Sequence, residues 1–312
     1  MHYESSYLTI LGITFSILLL ATAVIQLLQA FRPNLDLTEV KQRTRSWWVI
    51  AGIFAVATLT ATTAYWAIGL LSFVAFRELY SLVGFRPADR HAIGLAILAI
   101  PLQLYLAYIG WYGAFIIFIP VVLFLLLPLV LILRGETTGI TTSMASIQWT
   151  FMLTVFGLSH LAYLLTLPGA GPQVQSEVGD GRELLFFLIL LTELNDVFQF
   201  IWGKVWGNRK IVPRVSPNKT WAGFLGGIIC TTVIGGLLNF LTPLSLPLTL
   251  LISAALAVAG FTGDLVVSAI KRDVGVKDTG TAIPGHGGLL DRVDSLAYTA
   301  PVFFHLLYYI AY

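Results

Sequence analysis

Apolar runs long enough to cross a bilayer recur from one end of this sequence to the other. A transmembrane helix needs about 20 largely apolar residues, and such runs occupy residues 7–30, 47–82, 91–109, 112–134, 145–167, 184–203, 221–241, 245–269 and 295–312. Hydrophobic residues make up 57% of the chain and charged ones 11%, against about 45–50% and about 25% in an average soluble domain. So little charge cannot cover so much apolar material in water, which excludes a soluble globule. In lipid every backbone N–H and C=O must be satisfied within its own span, so the expected fold class is all-α: a polytopic integral membrane helical bundle.

The second run carries no charged residue from Trp47 to Phe76, too long for one upright span and short for two. Basic residues resolve it, because Lys and Arg gather in cytoplasmic loops. With the run split into a hairpin near Thr58–Thr63 and the amino terminus outside, loops 31–46, 77–90, 134–144, 204–220 and 270–294 all face the cytoplasm. They then hold every one of the 18 basic residues except Arg182. Nine spans would set the two most basic late loops opposite the basic first one. The sequence therefore predicts ten helices, with nine as the alternative, and both termini outside. The acidic, Gly-rich segment 168–183 becomes an external connector, and MHYESSY lacks the positive region of a cleaved signal, so the first helix reads as an anchor.

A net charge of +2 is too even to argue for nucleic acid. The single cysteine, Cys230, lies in an apolar run without any metal or redox spacing and reads as packing.

Acids inside or at the ends of apolar runs are costly in a bilayer and mark function by default. They concentrate in residues 181–312, the expected catalytic part, whereas residues 1–180 read as a scaffold of lipid-facing helices. Glu193 and Asp196 share one helical face; Asp264 sits near the end of a long apolar run; Asp291 and Asp294 open the last helix, again three apart. Converging carboxylates suit Mg²⁺, which takes oxygen ligands and bridges one or two carboxylates to substrate phosphates. Structural ion pairs with Arg272 or Arg292 are the other reading of the same acids.

Two loops flank these acids. GNRKIVPRVSPNKTWAGFLGG sets Arg209, Lys210, Arg214 and Lys219 around a Ser216-Pro217-Asn218 turn just ahead of a helix, and cationic side chains beside a helix amino end bind anions. Gly223, Gly226 and Gly227 in the helix itself admit close backbone approach. KRDVGVKDTGTAIPGHGGLLDR places Gly285, Gly287 and Gly288 around His286, where successive N–H groups can form a phosphate nest and the imidazole could serve acid–base chemistry near neutral pH.

Ser268-Ala-Ile-Lys271-Arg272, then Lys277-Asp278, then Pro284-Gly-His286-Gly287-Gly288-Leu-Leu-Asp291-Arg292-Val-Asp294 resembles the signature of the phosphatidate cytidylyltransferase family. Asn195-Asp196, Gly203-Lys204 and Ser216-Pro217-Asn218-Lys219-Thr220-Trp221 are similar to that family's second motif. The resemblance covers about residues 193–294. It implies an integral membrane enzyme that joins CTP to phosphatidate with Mg²⁺ and releases pyrophosphate and CDP-diacylglycerol. The basic loops set its site at the cytoplasmic face, and a short chain without long cytosolic tails points to a bacterial inner membrane, with an organelle membrane as the alternative. Carried over by position, Asp264, Asp291, Lys271, Arg272 and His286 form the catalytic set, His286 in an orienting role, with Asp264, Asp291 and Asp294 at the metal. Asp196, Arg214, Ser216, Asn218, Lys219, Thr220, Ser268, Lys277, Asp278, Gly287, Gly288 and Arg292 would contact substrate. A monovalent cation and a homodimer are further expectations of the resemblance.

Two departures stand out. Ala222 follows Lys219-Thr220-Trp221 where the family pattern usually has Glu, and Val197-Phe198-Gln199-Phe200 replaces the family's Ala-Tyr. Two other readings therefore stay open: a related membrane nucleotidyltransferase with another lipid or nucleotide, and a secondary transporter, to which ten spans with embedded acids would also be suited. The DGxxAR…GxxxDxxxD pattern of the CDP-alcohol phosphotransferases is absent.

Overall fold

The charge-free second run breaks where its threonines cluster. Helix α2 (Thr38–Ala57) ends and α3 (Ala61–Val83) begins across three residues. Thr60 and Thr63 exchange backbone-to-hydroxyl hydrogen bonds of 3.0 and 3.1 Å, a reciprocal cap that satisfies amide groups the first turn leaves open. The long run is thus broken into two helices within Thr58–Thr63, where the sequence places a break.

The computed structural model describes residues 2–32, 37–84, 86–133, 135, 137–167, 181–280 and 287–312. Every regular element among them is a helix, and the sole bridge of β type joins Lys210 and Thr220. Seven helical segments are long and apolar enough to cross a membrane, and Trp47–Ala57 and Trp221–Leu237 are shorter apolar helices. The chain is an all-helical integral membrane protein. Most of the connector at 168–183, and the boundary placed at residue 180, lie outside the described residues.

Contacts divide the chain into Met1–Ala67 and Ile68–Tyr312. In the first unit α1 (His2–Phe31) pairs with α2, where Trp48 Nε1 donates to Thr22 Oγ1 at 3.1 Å and its ring meets Phe15.

In the second unit α4 (Arg90–Tyr108), α5 (Tyr112–Ile117), α6 (Phe124–Ile132), α7 (Ile140–Phe151) and α8 (Gly157–Leu164) build an apolar core. Phe76, Ala96, Ile100, Leu123 and Phe151 are buried in it. A π-helical turn, Phe118–Leu123, separates α5 from α6 at Pro120, which has no N–H to continue an α ladder. Asp89 is fully buried just before α4, paired to Arg86 at 2.8 Å and accepting from Ser143 Oγ of α7 at 2.8 Å.

The remaining helices are α9 (Arg182–Trp206), α10 (Trp221–Leu237), α11 (Leu246–Asp273), the single-turn α12 (Leu290–Val293) and α13 (Leu296–Ala311). Close approach of α9 and α10 depends on the glycines singled out in the sequence. A Cβ at Gly223 would lie 2.6 Å from the Gln199 carbonyl, and one at Gly226 would enter the Trp202 ring. Asn195 then ties three helices, donating to the Ala257 carbonyl at 3.1 Å and accepting from Thr231 Oγ1 at 3.3 Å. Cys230 is a packing residue whose sulfur accepts from Trp202 Nε1.

Candidate active site

The loop before α10 folds back on itself. Ile211 N donates to the Lys219 carbonyl at 3.1 Å and Trp221 N to that of Arg209 at 3.0 Å, while the Ser216-Pro217-Asn218 turn closes with Lys219 N on the Ser216 carbonyl. Thr220 ends the loop as the cap of α10, its hydroxyl accepting from Gly223 N at 3.1 Å. The residue before that cap, Lys219, is thereby driven inward against α9 and α11.

Its ammonium lies 2.6 Å from Asp264 Oδ2, 2.7 Å from Gln199 Oε1 and 4.0 Å from Asp196 Oδ1, above the Phe261 ring. Burial pulls the Lys219 pKa down, but the Asp264 and Asp196 carboxylates more than offset this and hold it above the usual lysine value. A second pair sits beside the first: Lys271 Nζ is 2.8 Å from Asp291 Oδ1. The other oxygen, Oδ2, accepts from Thr279 N at 2.8 Å and Gly288 N at 2.9 Å. Burial raises the Asp291 carboxyl, yet Lys271 and the two amides outweigh it and leave it below the ordinary aspartate value.

These groups line one cavity of about 330 Å³. Helix α9 contributes Asp196, Gln199 and Phe200; the α9–α10 loop Ser216, Asn218 and Lys219; α11 Asp264 and Lys271. Asp278, Asp291, Arg292 and Asp294 close it from the last loop and α12. Asp264 and Lys271 fall on one side of α11 because they are two helical turns apart. Ser268, between them, donates to Asp264 Oδ1 at 3.1 Å, and Ser295 Oγ supports Asp196 Oδ2 at 3.1 Å.

Sequence and structure differ in instructive places. The sequence offers Arg272 or Arg292 as ion-pair partners of the acids, whereas Asp264 pairs with Lys219 and Asp291 with Lys271. Arg272 instead donates to the carbonyls of Val215 and Val276, pinning the loop ahead of α10 to the end of α11. Arg214 and Lys277 are exposed and off the cavity wall, Thr220 is occupied as a cap, and Glu193 does not line the cavity. The glycine nest is filled from within: Gly288 N goes to Asp291, and the next two amides go to Glu78. His286 and Gly285 lie outside the described residues.

One site residue escaped the sequence reading, and another, Gln199, entered it only as a departure from the family pattern. Gln199 orients Lys219, and Glu78, near the end of α3, reaches the last loop. The signal for Glu78 was a carboxylate closing an apolar run, the same pattern that drew attention to Asp264.

No group of three His, Cys, Asp or Glu side chains among the described residues is close enough to hold a metal by itself. The donor set nevertheless fits Mg²⁺, which needs only one or two carboxylates when substrate phosphates complete its shell. Five carboxylates face three cationic side chains around the cavity, an excess of negative charge that a divalent cation would balance. The Asp196 Oδ1 atom, buried without a hydrogen-bond donor, is consistent with that deficit.

The profile of the cytidylyltransferase family matches residues 41–310. The chain belongs to the cytidylyltransferase family. A protein of Escherichia coli strain K12, described as uncharacterized protein YnbB, is 40% identical over 307 residues, covering 97% of this chain and 98% of its own. Phosphatidate cytidylyltransferase of Staphylococcus haemolyticus is 37% identical over 164 residues, 52% of this chain and 62% of its own length. The enzyme of that name from Staphylococcus aureus strain COL is 34% identical over the same share. The similarity thus spans less than two thirds of the staphylococcal enzymes. Of the departures from the family pattern, Gln199 and Phe200 line the cavity whereas Ala222 does not.

Proposed function

We propose that the chain is a phosphatidate cytidylyltransferase, making CDP-diacylglycerol and pyrophosphate from CTP and phosphatidate. The observation that carries this reading is the pair of Lys–Asp contacts on one cavity wall, Lys219–Asp264 and Lys271–Asp291. Each carboxylate is held beside a cation, so a polyanion and a metal can exchange for partners already in place.

A phosphate oxygen of the lipid attacks the α-phosphorus of CTP, a P–O bond forms, the α–β anhydride bond breaks, and pyrophosphate leaves with the electron pair. Lys219 and Lys271 neutralise the two approaching phosphates, and Arg292, Ser216 and Asn218 hold the β- and γ-phosphates as they depart. Asp264 and Asp291, with Asp294 adjoining, would hold Mg²⁺. When bound, the ion supplies charge neutralisation and alignment of nucleophile and leaving group. The lipid phosphate is already ionised near pH 7, so no strong base is required, and His286 is assigned to orientation.

In this reading the cavity faces the cytoplasm from a bacterial inner membrane, with ten spans and both termini outside, and the gathering of basic residues in its loops supports that orientation. Water-soluble CTP and a membrane-held headgroup can meet there. A second reading, the same transfer with another acidic lipid or nucleotide, draws on Gln199 and Phe200 in the cavity wall.

The test is incorporation of radiolabelled CTP into lipid by purified protein in vesicles containing phosphatidate and Mg²⁺. Wild type is expected to form CDP-diacylglycerol, and Asp264→Asn and Asp291→Asn to lose about 10²-fold or more of the rate, the scale of removing one preorganised electrostatic group. Absence of product with CTP and phosphatidate, but not with another nucleotide or acidic lipid, establishes the second reading.

A further inference from the structure

We propose that Glu78, on α3, is a positioning residue for Asp291: it holds the loop that fixes the orientation of that carboxylate in the cavity. The inference rests on the reading of the cavity as the transfer site.

Asp291 rides on α12, a helix of one turn, which leaves its first backbone amides without partners of its own. The flanking residue Leu289 supplies no side-chain cap. Glu78 supplies one from a different helix. Its Oε1 accepts from Leu289 N at 2.9 Å, and its Oε2 accepts from Leu290 N at 2.8 Å and from Thr279 Oγ1 at 3.2 Å.

The two carboxylates bracket the same loop. Thr279 gives its amide to Asp291 and its hydroxyl to Glu78. Gly288 gives its amide to Asp291, and the next two amides go to Glu78. Moving Glu78 therefore moves the donors that aim Asp291 Oδ2, and with them the Oδ1 atom that meets Lys271.

The approach of the loop glycines to the carboxylate is close. A Cβ on Gly288 would lie 2.5 Å from Glu78 Oε2, and one on Gly280 would lie 3.4 Å from Oε1. Glu78 itself is not part of the cavity wall, so it acts through Asp291 and does not touch substrate.

Glutamine at this position offers one acceptor and one donor, so one of the two backbone amides must face an NH₂ group. Aspartate keeps both acceptors but is one methylene short. Full-length Glu78→Gln and Glu78→Asp in lipid nanodiscs are compared by two readouts. Hydrogen exchange reports whether Asp291 keeps its donors, and steady-state transfer with CTP, phosphatidate and Mg²⁺ reports the consequence.

In Glu78→Gln, exchange is expected to accelerate at Leu289 and Leu290 and also at Thr279 and Gly288, whose partner is Asp291, while amides of α10 stay protected. The rate kcat is expected to fall about 10²-fold, the scale of a 1 Å misplacement, with KM for CTP within about twofold and the Mg²⁺ requirement raised; Glu78→Asp recovers part of both. Acceleration confined to Leu289 and Leu290, or an unchanged kcat and Mg²⁺ requirement beside a lowered melting temperature, overturns the proposal and leaves Glu78 a structural cap. A wild type that transfers no cytidylyl group sinks the reading of the site instead, and the exchange at Thr279 and Gly288 still decides whether Glu78 positions Asp291.

Discussion

Lys219 Nζ stands 2.6 Å from Asp264 Oδ2 and links the loop ahead of α10 to the body of α11. The contact couples the basic loop, proposed to meet phosphates, to the carboxylate proposed to hold the metal. Gln199 completes it from α9 at 2.7 Å, so three segments fix one ammonium.

That third contact predicts a binding effect. Gln199→Ala removes a hydrogen bond to a charged group, worth about 1.5–3 kcal/mol, and is expected to raise KM for CTP about tenfold. Ala222→Glu, off the cavity, is expected to leave kcat/KM within about twofold. Steady-state kinetics on both variants check the contrast, and equal effects would contradict the placement.

Lys271→Met leaves Asp291 without its cation. The two side chains are 11% and 6% exposed, and breaking a buried pair from one side costs about 3–5 kcal/mol. Chemical denaturation of the purified protein is expected to show this loss. Adding Asp291→Asn is expected to return part of it, because no buried charge is then left alone.

The same carboxylate gives a pH dependence. Asp291 has its folded pKa below the ordinary value, since Lys271 and the Thr279 and Gly288 amides outweigh burial. A depressed carboxyl pKa contributes stability that is fully present above the unfolded value of about 3.9 and is lost as pH falls through the folded one. The stability gap between wild type and Asp291→Asn is therefore expected to be constant near neutrality and to shrink below about pH 4. Melting temperatures across an acid series read it directly; a gap that widens in acid would reverse the assignment.

Gly287 has φ +80°, and a Cβ there would lie 2.5 Å from Asp291 Oδ2. Gly287→Ala meets left-handed backbone strain of about 1–2 kcal/mol and also displaces the carboxylate. Transfer is expected to drop about 10²-fold while the helical circular dichroism is retained. Full activity in this variant would show that Asp291 need not keep its present rotamer.

The sequence alone determined the solvent of this protein, its helices and the identity of most groups around the cavity. Long apolar runs leave only helices in lipid, and the helix break at Thr58–Thr63 followed from a run too long for one span. Asp264 and Asp291 stood out because charge in or beside such runs is rare and costly, and Lys271 entered through the family resemblance. Those signals are local, written in one segment's composition and period.

Tertiary structure decided which charges meet. That Asp264 takes Lys219 and Asp291 takes Lys271, that Arg272 turns to backbone carbonyls, and that Gln199 enters the site all depend on how α9, α10 and α11 cross at their glycines. Glu78 is the clearest case. It lies in the helix before α4, yet it caps the helix before the last one, and no periodicity within either segment encodes a contact between them. Spacing along a chain reports which residues share a face; only the packing of one helix on another reports what that face touches.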